Sequence, residues 1–309
     1  MEMIVSVLLL SLGFLMLVKG ADWFVDGACG IAEKFGIPQL VIGLTIVAMG
    51  TSAPEAAVSI TAAIKGNADI TIGNIVGSNI LNILIILGIS SFITPLAVSK
   101  STIIFEIPFM VVITLLLLVQ GIGGTIERYD GVVLLLVFLA YLGYLFIMAK
   151  RGKSDNAADT LKQNLWQSVL WAIAGLVLIV IGSNAAVDAA STIARLLGMS
   201  ERFIGLTIVA LGTSLPELFT SVSAARKGNA DIAIGNIVGS NIFNILFVVG
   251  ISALIIPVPF SPGFFADTLI AALTGILLLI CSLRSKSLTR KSGILMLASY
   301  LVYFIFICI

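Results

Sequence analysis

Hydrophobic residues fill this chain in long stretches that are separated by short polar segments. An α-helix needs about 20 consecutive apolar residues to cross the hydrocarbon core of a membrane, and ten stretches meet that requirement. Their approximate bounds are residues 3–24, 38–64, 70–93, 102–120, 129–149, 165–188, 202–225, 232–256, 264–283 and 292–309. The first stretch lacks the basic start and the cleavage site of a signal peptide. The pattern predicts an all-α integral membrane protein with ten transmembrane helices.

The same pattern occurs twice. Residues 42–90 and 204–252 align without a gap at an offset of 162 positions, and 36 of the 49 aligned residues are identical. The only markedly hydrophilic stretch, residues 150–164, separates a first half (1–149) from a second half (165–309). Five spans per half is an odd number, so the second half enters the membrane from the opposite side. The sequence therefore predicts two inverted five-helix repeats.

Composition agrees with a membrane protein, because 59% of the 309 residues are hydrophobic and 11% are charged, against about 25% charged in soluble domains. The net charge of +1 gives no reason to expect nucleic acid as a partner. Histidine, the commonest transition-metal ligand, is missing from the sequence, and three cysteines form no metal-binding spacing. No cofactor is expected.

Lysine and arginine predict the orientation. If the N-terminus is extracellular, thirteen of these residues fall in cytoplasmic loops and four in extracellular loops, namely Lys65, Arg128, Arg195 and Arg202. Cytoplasmic loops of membrane proteins carry such an excess. We therefore expect a multi-pass protein of the plasma membrane, with both termini extracellular and the central linker cytoplasmic.

Two acidic residues interrupt the apolar pattern near the middles of the second and seventh spans. Glu55 and Glu217 end the Gly-Thr-Ser-x-Pro-Glu runs Gly50–Glu55 and Gly212–Glu217. A charged side chain at the bilayer centre costs several kcal/mol, so such residues are candidates for function. A neutral carboxyl that holds helices in register is the structural alternative. Because lysine and arginine are missing from the same layer, the expected partner is a bound cation.

The neighbouring residues suit a cation. Pro54 and Pro216 cannot donate a backbone hydrogen bond and therefore free carbonyls of the preceding turn. Freed carbonyls at membrane depth are tolerated where they line a cavity. Hydroxyl oxygens stand beside them at Thr51, Ser52, Thr213 and Ser214. All of these are hard oxygen donors, which favour calcium and sodium over zinc or copper.

A second polar run, Gly-Asn-Ile-Val-Gly-Ser-Asn, opens the third and eighth spans. Serine and asparagine four positions apart share one helix face, and the two pairs are Ser78 with Asn82 and Ser240 with Asn244. Asn74 and Asn236 extend these stripes. Interhelical hydrogen bonding is the structural alternative for the asparagines, as close packing is for the glycines. We expect discontinuous helices 2, 3, 7 and 8 around an ion site at the membrane midplane.

The paired motifs resemble the alpha-repeats of the cation/calcium exchanger superfamily, specifically its prokaryotic sodium/calcium exchanger branch. The resemblance implies eight core helices and a mobile, sliding pair formed by the first and sixth spans. It also implies that Ca2+ binds the carboxylates of Glu55 and Glu217 and two backbone carbonyls, those of Thr51 and Thr213. Implied sodium ligands are the same groups with Ser52, Ser78, Ser214, Ser240 and the backbone of Ala48 and Ala210, while Asn82 and Asn244 complete the site. Relatives often carry aspartate at one of these last two positions.

The resemblance implies exchange of about three Na+ for one Ca2+ by alternating access. One Ca2+ neutralises the two carboxylates, whereas three Na+ give the loaded site a net charge of +1. Exchange should therefore be electrogenic. The expected partners are the lipid bilayer and these two ions, and the expected functional unit is a monomer.

Other functions remain open. A Ca2+/H+ exchanger would load two protons on Glu55 and Glu217. A K+-dependent Na+/Ca2+ exchanger is a further alternative, because Asn82 and Asn244 supply no third carboxylate. A cation channel is a further possibility, although inverted repeats with broken helices are typical of transporters. An intramembrane hydrolase is a third class, but the sequence places no His, Cys or Asp beside the glutamates as a catalytic partner. Glu106 has a non-acidic counterpart, Thr268, and is expected to face a polar cleft or to snorkel.

Overall fold

The computed structural model describes residues 2–151, 164–199 and 210–308, and nearly all of them are helical. The first half contains α1 (Glu2–Phe35), α2 (Gln39–Thr51), α3 (Ala53–Ile64), α4 (Ile70–Ile93), α5 (Thr102–Gly123) and α6 (Arg128–Arg151). The second half contains α7 (Leu165–Leu196), α8 (Ala210–Thr213), α9 (Leu215–Arg226), α10 (Ala230–Ile255), α11 (Pro262–Ser285) and α12 (Arg290–Cys308). Each helix of the first half has a counterpart six labels later.

Helices lie in all ten predicted stretches of the described chain. Seven are long and apolar enough to cross a membrane, and α2 with α3 forms a further span that is bent by 50°. The pair α8 and α9 repeats this arrangement, although residues 200–209 lie outside the described part. α12 occupies the tenth stretch with 19 residues. The linker residues 152–163 also lie outside the description.

Two helices are longer than the hydrophobic pattern predicts. The first span was expected to end at residue 24, but α1 has 34 residues and ends at Phe35. The predicted bound is wrong because polar residues such as Asp26 follow the apolar stretch, while the left-handed Gly36 (φ 61°) and Pro38 end the helix only later. α7 likewise continues to Leu196 instead of residue 188.

The two central helices are α4 and α10. Buried residues make up 78% of the apolar window of α4 and 83% of that of α10, whereas the share is 22% in α1 and in α6. A helix that is apolar all round is stable only when other helices or lipid cover it. The repeat motifs therefore lie in the protein core, and the outer faces of α1 and α6 remain for lipid.

A seam of glycines joins α1 to α7. Gly13 and Gly20 of α1 are seven residues apart, as are Gly175 and Gly182 of α7. A methyl group added at Gly13 would come within 2.8 Å of the Gly182 carbonyl oxygen, and one at Gly20 within 2.8 Å of the Gly175 carbonyl oxygen. Small residues let membrane helices approach to backbone contact. These two helices consequently form one closely packed pair.

Two short antiparallel ladders connect the halves. β1 (Leu96–Ala97) pairs with β4 (Ser287–Leu288), and β2 (Thr125–Ile126) pairs with β3 (Val258–Pro259). β1 precedes α5 and β2 follows it, so the ladders lie at opposite ends of the helix bundle. Each ladder ties a loop of one half to a loop of the other.

Candidate ion-binding site

The break in each bent span falls at a serine. Ser52 (φ −82°, ψ 7°) separates α2 from α3, and Ser214 (φ −90°, ψ 4°) separates α8 from α9. Proline is the second residue of the following helix in both cases, a position where its missing N–H and fixed φ are tolerated. Helix-preceding serines usually cap their own helix, but neither of these side chains does so.

Both serines instead reach across the repeat axis. Ser52 Oγ donates a hydrogen bond to Glu217 Oε1 at 2.8 Å, and Ser214 Oγ donates one to Glu55 Oε1 at 3.4 Å. The serine at each helix break thus donates to the glutamate that follows the break in the other half. This reciprocal pairing brings the two predicted glutamates into one site.

The glutamates are buried and only half satisfied. Each is the third residue of its helix, and each is 1% exposed. The position favours a negative charge, because unpaired N–H groups of the first turn point towards it. Among the described residues, Oε2 of Glu55 and Oε2 of Glu217 have no hydrogen-bond partner. Two buried carboxylate oxygens are therefore available to a cation.

Asparagines of the central helices add two more such oxygens. Asn82 Nδ2 donates to Asn241 Oδ1 at 2.9 Å, and Asn244 Nδ2 donates to Asn79 Oδ1 at 3.1 Å. With their nitrogens engaged, Oδ1 of Asn82 and Oδ1 of Asn244 are buried without a partner in the described chain. Buried polar atoms are usually hydrogen-bonded, so these two oxygens are available to a ligand.

The irregularity of α4 and α10 begins at the same two asparagines. Each helix widens into a π-helical turn, over Asn82–Leu87 in α4 and over Asn244–Val249 in α10. Turns of this kind are often found at functional sites, because they displace a side chain from its regular place on the helix. The predicted discontinuity of the second span is a bend of 50°, and that of the seventh span is a break at Ser214. In the third and eighth spans it is a local widening.

The two upstream asparagines hold the broken helices in place. Asn74 Nδ2 donates to Ser59 Oγ at 2.9 Å and to the Glu55 carbonyl at 3.3 Å. Asn236 Nδ2 repeats this with a serine of α9 and the Glu217 carbonyl, at 2.9 and 3.4 Å. Asn74 and Asn236 therefore act as interhelical hydrogen-bond partners, the structural alternative for these residues.

The remaining predicted ligands are distributed along the same helices. Ser240 Oγ donates to the Ala48 carbonyl at 3.4 Å, and Thr51 Oγ1 lies 3.0 Å from Asn236 Oδ1. Ser78 is buried, Thr213 is half-buried, and the backbone of Ala210 begins α8. The site thus collects groups from α2, α3, α4, α8, α9 and α10.

A cavity of about 600 Å3 approaches the site from one side. It lies between α3 and α7, and Pro54 and Thr213 form part of its wall next to the helix breaks. Asn184 and Asp188 of α7 line it as well, and both are exposed. The cavity provides room for water and ions beside the buried glutamates.

Several contacts escape sequence reasoning. Lys227 Nζ forms an ion pair of 2.6 Å with Asp26 of α1, and Ser183 Oγ donates to the Gly212 carbonyl at 2.9 Å. Glu106 neither snorkels nor faces a cleft, because it is 0% exposed and accepts a hydrogen bond of 2.6 Å from Tyr144. The repeat offset aligns Lys227 with Lys65, but no local pattern predicts that, among the described residues, Lys227 forms an ion pair and Lys65 does not.

Comparison with known proteins settles the family. The sodium/calcium exchanger protein family matches residues 5–147 and 167–309 of the chain. This protein belongs to the sodium/calcium exchanger family. The chain is 39% identical to the putative antiporter CaxA of Alkalimonas amylolytica, with 97% of this chain and 98% of that protein covered. It is 32% identical to the sodium/calcium exchanger MaX1 of Methanosarcina acetivorans, with 97% and 98% covered.

Solved structures agree. The sodium-calcium exchanger NCX_Mj, soaked with zero Na+ and Ca2+, superposes with a TM-score of 0.86 at 34% identity, covering 98% of this chain and 99% of the other. The resemblance drawn from the two motifs is thereby confirmed, as is the inverted-repeat membrane fold. The chain is a multi-pass membrane antiporter that exchanges cations, and its family is one of exchangers and not of enzymes.

Proposed function

We propose that this protein exchanges about three Na+ for one Ca2+ by electrogenic alternating access at the site formed by Glu55 and Glu217. One observation carries the proposal. Four buried oxygens of the glutamates and asparagines at the helix irregularities lack a partner in the described chain, namely Oε2 of Glu55, Oε2 of Glu217, Oδ1 of Asn82 and Oδ1 of Asn244. No lysine or arginine of the described residues pairs with either glutamate. Carboxylate and amide oxygens are ligands typical of calcium.

The hydroxyl groups give sodium its place in the cycle. Ser52 and Ser214 donate to the glutamates of the opposite half at 2.8 and 3.4 Å. When sodium occupies the site, these hydroxyls turn their lone pairs to the ions, since a hydroxyl is both donor and acceptor. Ca2+ would bind the same carboxylates that several Na+ ions share. Because the two ion types need some of the same oxygens, the protein binds either Ca2+ or Na+ at one time.

The charge balance makes the cycle electrogenic. One Ca2+ neutralises the two carboxylates, while three Na+ leave one positive charge on the loaded site. Each net charge that crosses the membrane is worth about 2.3 kcal/mol per 100 mV. The empty site would carry two buried negative charges, and the cost of burying them disfavours its passage through a closed state. The two ion movements are coupled in this way.

The proposed orientation places both termini outside, the linker inside and the cavity between α3 and α7 on the extracellular side of the plasma membrane. All ligands come from one chain, which supports a monomeric functional unit. A Ca2+/H+ exchanger is the second candidate, because protons on Glu55 and Glu217 would also satisfy their unpaired oxygens. The serine and asparagine oxygens favour sodium, which needs such a cage.

The deciding experiment is calcium-45 uptake into proteoliposomes. Vesicles loaded with Na+ are diluted into Na+-free buffer, and a parallel set is driven by a pH gradient alone. Uptake that requires internal Na+ and accelerates with an inside-positive potential is expected, since net positive charge leaves the vesicle. Uptake driven by the pH gradient and indifferent to Na+ would replace this proposal with proton coupling. Current without a counter-ion gradient would indicate a channel.

A further inference from the structure

One end of the helix bundle is fastened by a polar cluster between α1 and α9. Lys227 Nζ lies 2.6 Å from Asp26 Oδ1 and donates to the Asp22 carbonyl at 2.8 Å. Ser223 Oγ donates to Asp22 Oδ1 at 2.6 Å. A neighbouring loop residue, Asn229, donates to Cys29 Sγ at 3.2 Å. These contacts hold the end of α9 against α1, and we refer to Lys227, Ser223, Asp22 and Asp26 as the first latch, which is closed in this structure.

The repeat places a matching set at the other end. At the offset of 162 positions, Lys227 corresponds to Lys65, Asp26 to Asp188 and Asp22 to Asn184. These residues do not meet. Lys65 is exposed at the end of α3 and forms no ion pair with the residues that the structure describes. Asp188 and Asn184 line the cavity that separates α7 from α3.

We propose that Lys65, Asp188 and Asn184 form a second latch, which closes the cavity when the first latch opens. The proposal rests on the alternating access described above. In a transporter with inverted repeats, the two access states arise by exchange of conformation between the halves. The glycine seam keeps α1 and α7 together, so the movement that brings α7 to α3 takes α1 away from α9. Only one latch can therefore be closed at a time.

The two latches differ in one charge. Asp22 contributes a carboxylate to the first latch, whereas its counterpart Asn184 contributes an amide to the second latch. Lys65 would therefore meet one carboxylate where Lys227 meets two. In the absence of transported ions, this difference favours the form in which the first latch is closed and the cavity beside α3 is open.

Charge exchange tests whether Lys65 and Asp188 meet. Lys65→Asp and Asp188→Lys are assayed for calcium uptake singly and together, with whichever gradient drives the unmodified protein. We expect each single change to reduce uptake by up to about fivefold, the largest population change that one exposed ion pair usually produces, and the double change to restore it to within about twofold. Losses that simply multiply in the double variant would overturn the proposal.

The pair Lys227→Asp and Asp26→Lys is the matched control, because these side chains already touch and must rescue each other. Since Lys65 and Asp188 are exposed, size-exclusion profiles should remain unchanged. A protein coupled to protons would still show the rescue, so failure of sodium coupling and failure of the latch are separate results.

Cavity labelling tests the exclusion of one latch by the other. Ala57 lines the cavity and is exposed, so Ala57→Cys is introduced with Cys29, Cys281 and Cys308 replaced by serine. Maleimide labelling is measured in detergent without Na+ or Ca2+. We expect Lys227→Gln and Asn184→Asp to slow labelling by up to about threefold, and Lys65→Gln to speed it. Any pattern in which the two lysine variants do not act in opposite directions contradicts the proposal.

Discussion

Two regions of the membrane core bury glutamates, and they differ in symmetry. At the proposed ion site, Glu55 and Glu217 occupy matched positions and each accepts a hydrogen bond from the opposite half. In the other region, Glu106 of α5 accepts a hydrogen bond from Tyr144 of α6, which lies in the same half. Its counterpart Thr268 carries no charge.

Burial and missing partners do not distinguish these regions. Glu106 is 0% exposed, and its Oε2 is unpaired within the described chain, like Oε2 of the two site glutamates. What separates them is that each site glutamate accepts a hydrogen bond from the other half, whereas Glu106 accepts one from its own half. An ion site that must open alternately to both sides has to be shared by both halves, and Glu106 is not.

The largest effect is expected for the site glutamates. Glu55→Gln or Glu217→Gln keeps the side-chain shape but removes a charge ligand, so calcium uptake should fall by more than about 100-fold. Calcium-45 uptake at matched protein levels provides the measurement, and Glu106→Gln is the matched control. Normal transport by either site variant would eliminate the two-glutamate site.

A third carboxylate should strengthen calcium binding. Asn82→Asp or Asn244→Asp converts an unpaired amide oxygen into a charged ligand, and we expect Ca2+ affinity to rise about 30-fold. Isothermal titration of the purified protein measures this. Asn74→Asp is the control, because the Asn74 amide binds a backbone carbonyl outside the ligand set and should give no such gain. Unchanged affinity in both site variants would place Asn82 and Asn244 outside the calcium site.

The serines at the helix breaks should affect sodium more than calcium. Ser52→Ala removes a hydroxyl that lies 2.8 Å from Glu217, and Na+ affinity should weaken about tenfold. Ser214→Ala, with a distance of 3.4 Å, should weaken it less. Sodium competition against calcium uptake gives both values. Equal loss of calcium and sodium affinity would indicate that the serines only position the glutamates.

The smallest effect on transport is expected at Glu106. Tyr144→Phe removes a hydrogen bond of 2.6 Å and should lower stability by about 1 kcal/mol while leaving uptake within about twofold. Thermal unfolding in detergent and calcium uptake are measured on the same preparation. A large loss of uptake with unchanged unfolding temperature would assign Glu106 to the ion pathway and contradict its separation from Glu55 and Glu217.

The sequence predicts the parts of this site that follow from local rules. Pro54 and Pro216 predict the helix breaks, and the repeat predicts that Glu55 and Glu217 share one site. Bonds between positions 165 residues apart, such as Ser52 to Glu217, depend on packing and have no local signal. The length of α1 was missed for the opposite reason, because polar residues end a hydrophobic stretch without ending a helix.

The glycine seam has a consequence for the fidelity of coupling. If α1 and α7 moved separately, both ends of the ion pathway could open together, and ions would leak down their gradients. Backbone contact at Gly13, Gly20, Gly175 and Gly182 favours movement of α1 and α7 as one unit. In the proposed exchange cycle, an open pathway at one end then goes with a closed pathway at the other. Small residues between two lipid-facing helices would in this way limit leakage of the driving ion gradient.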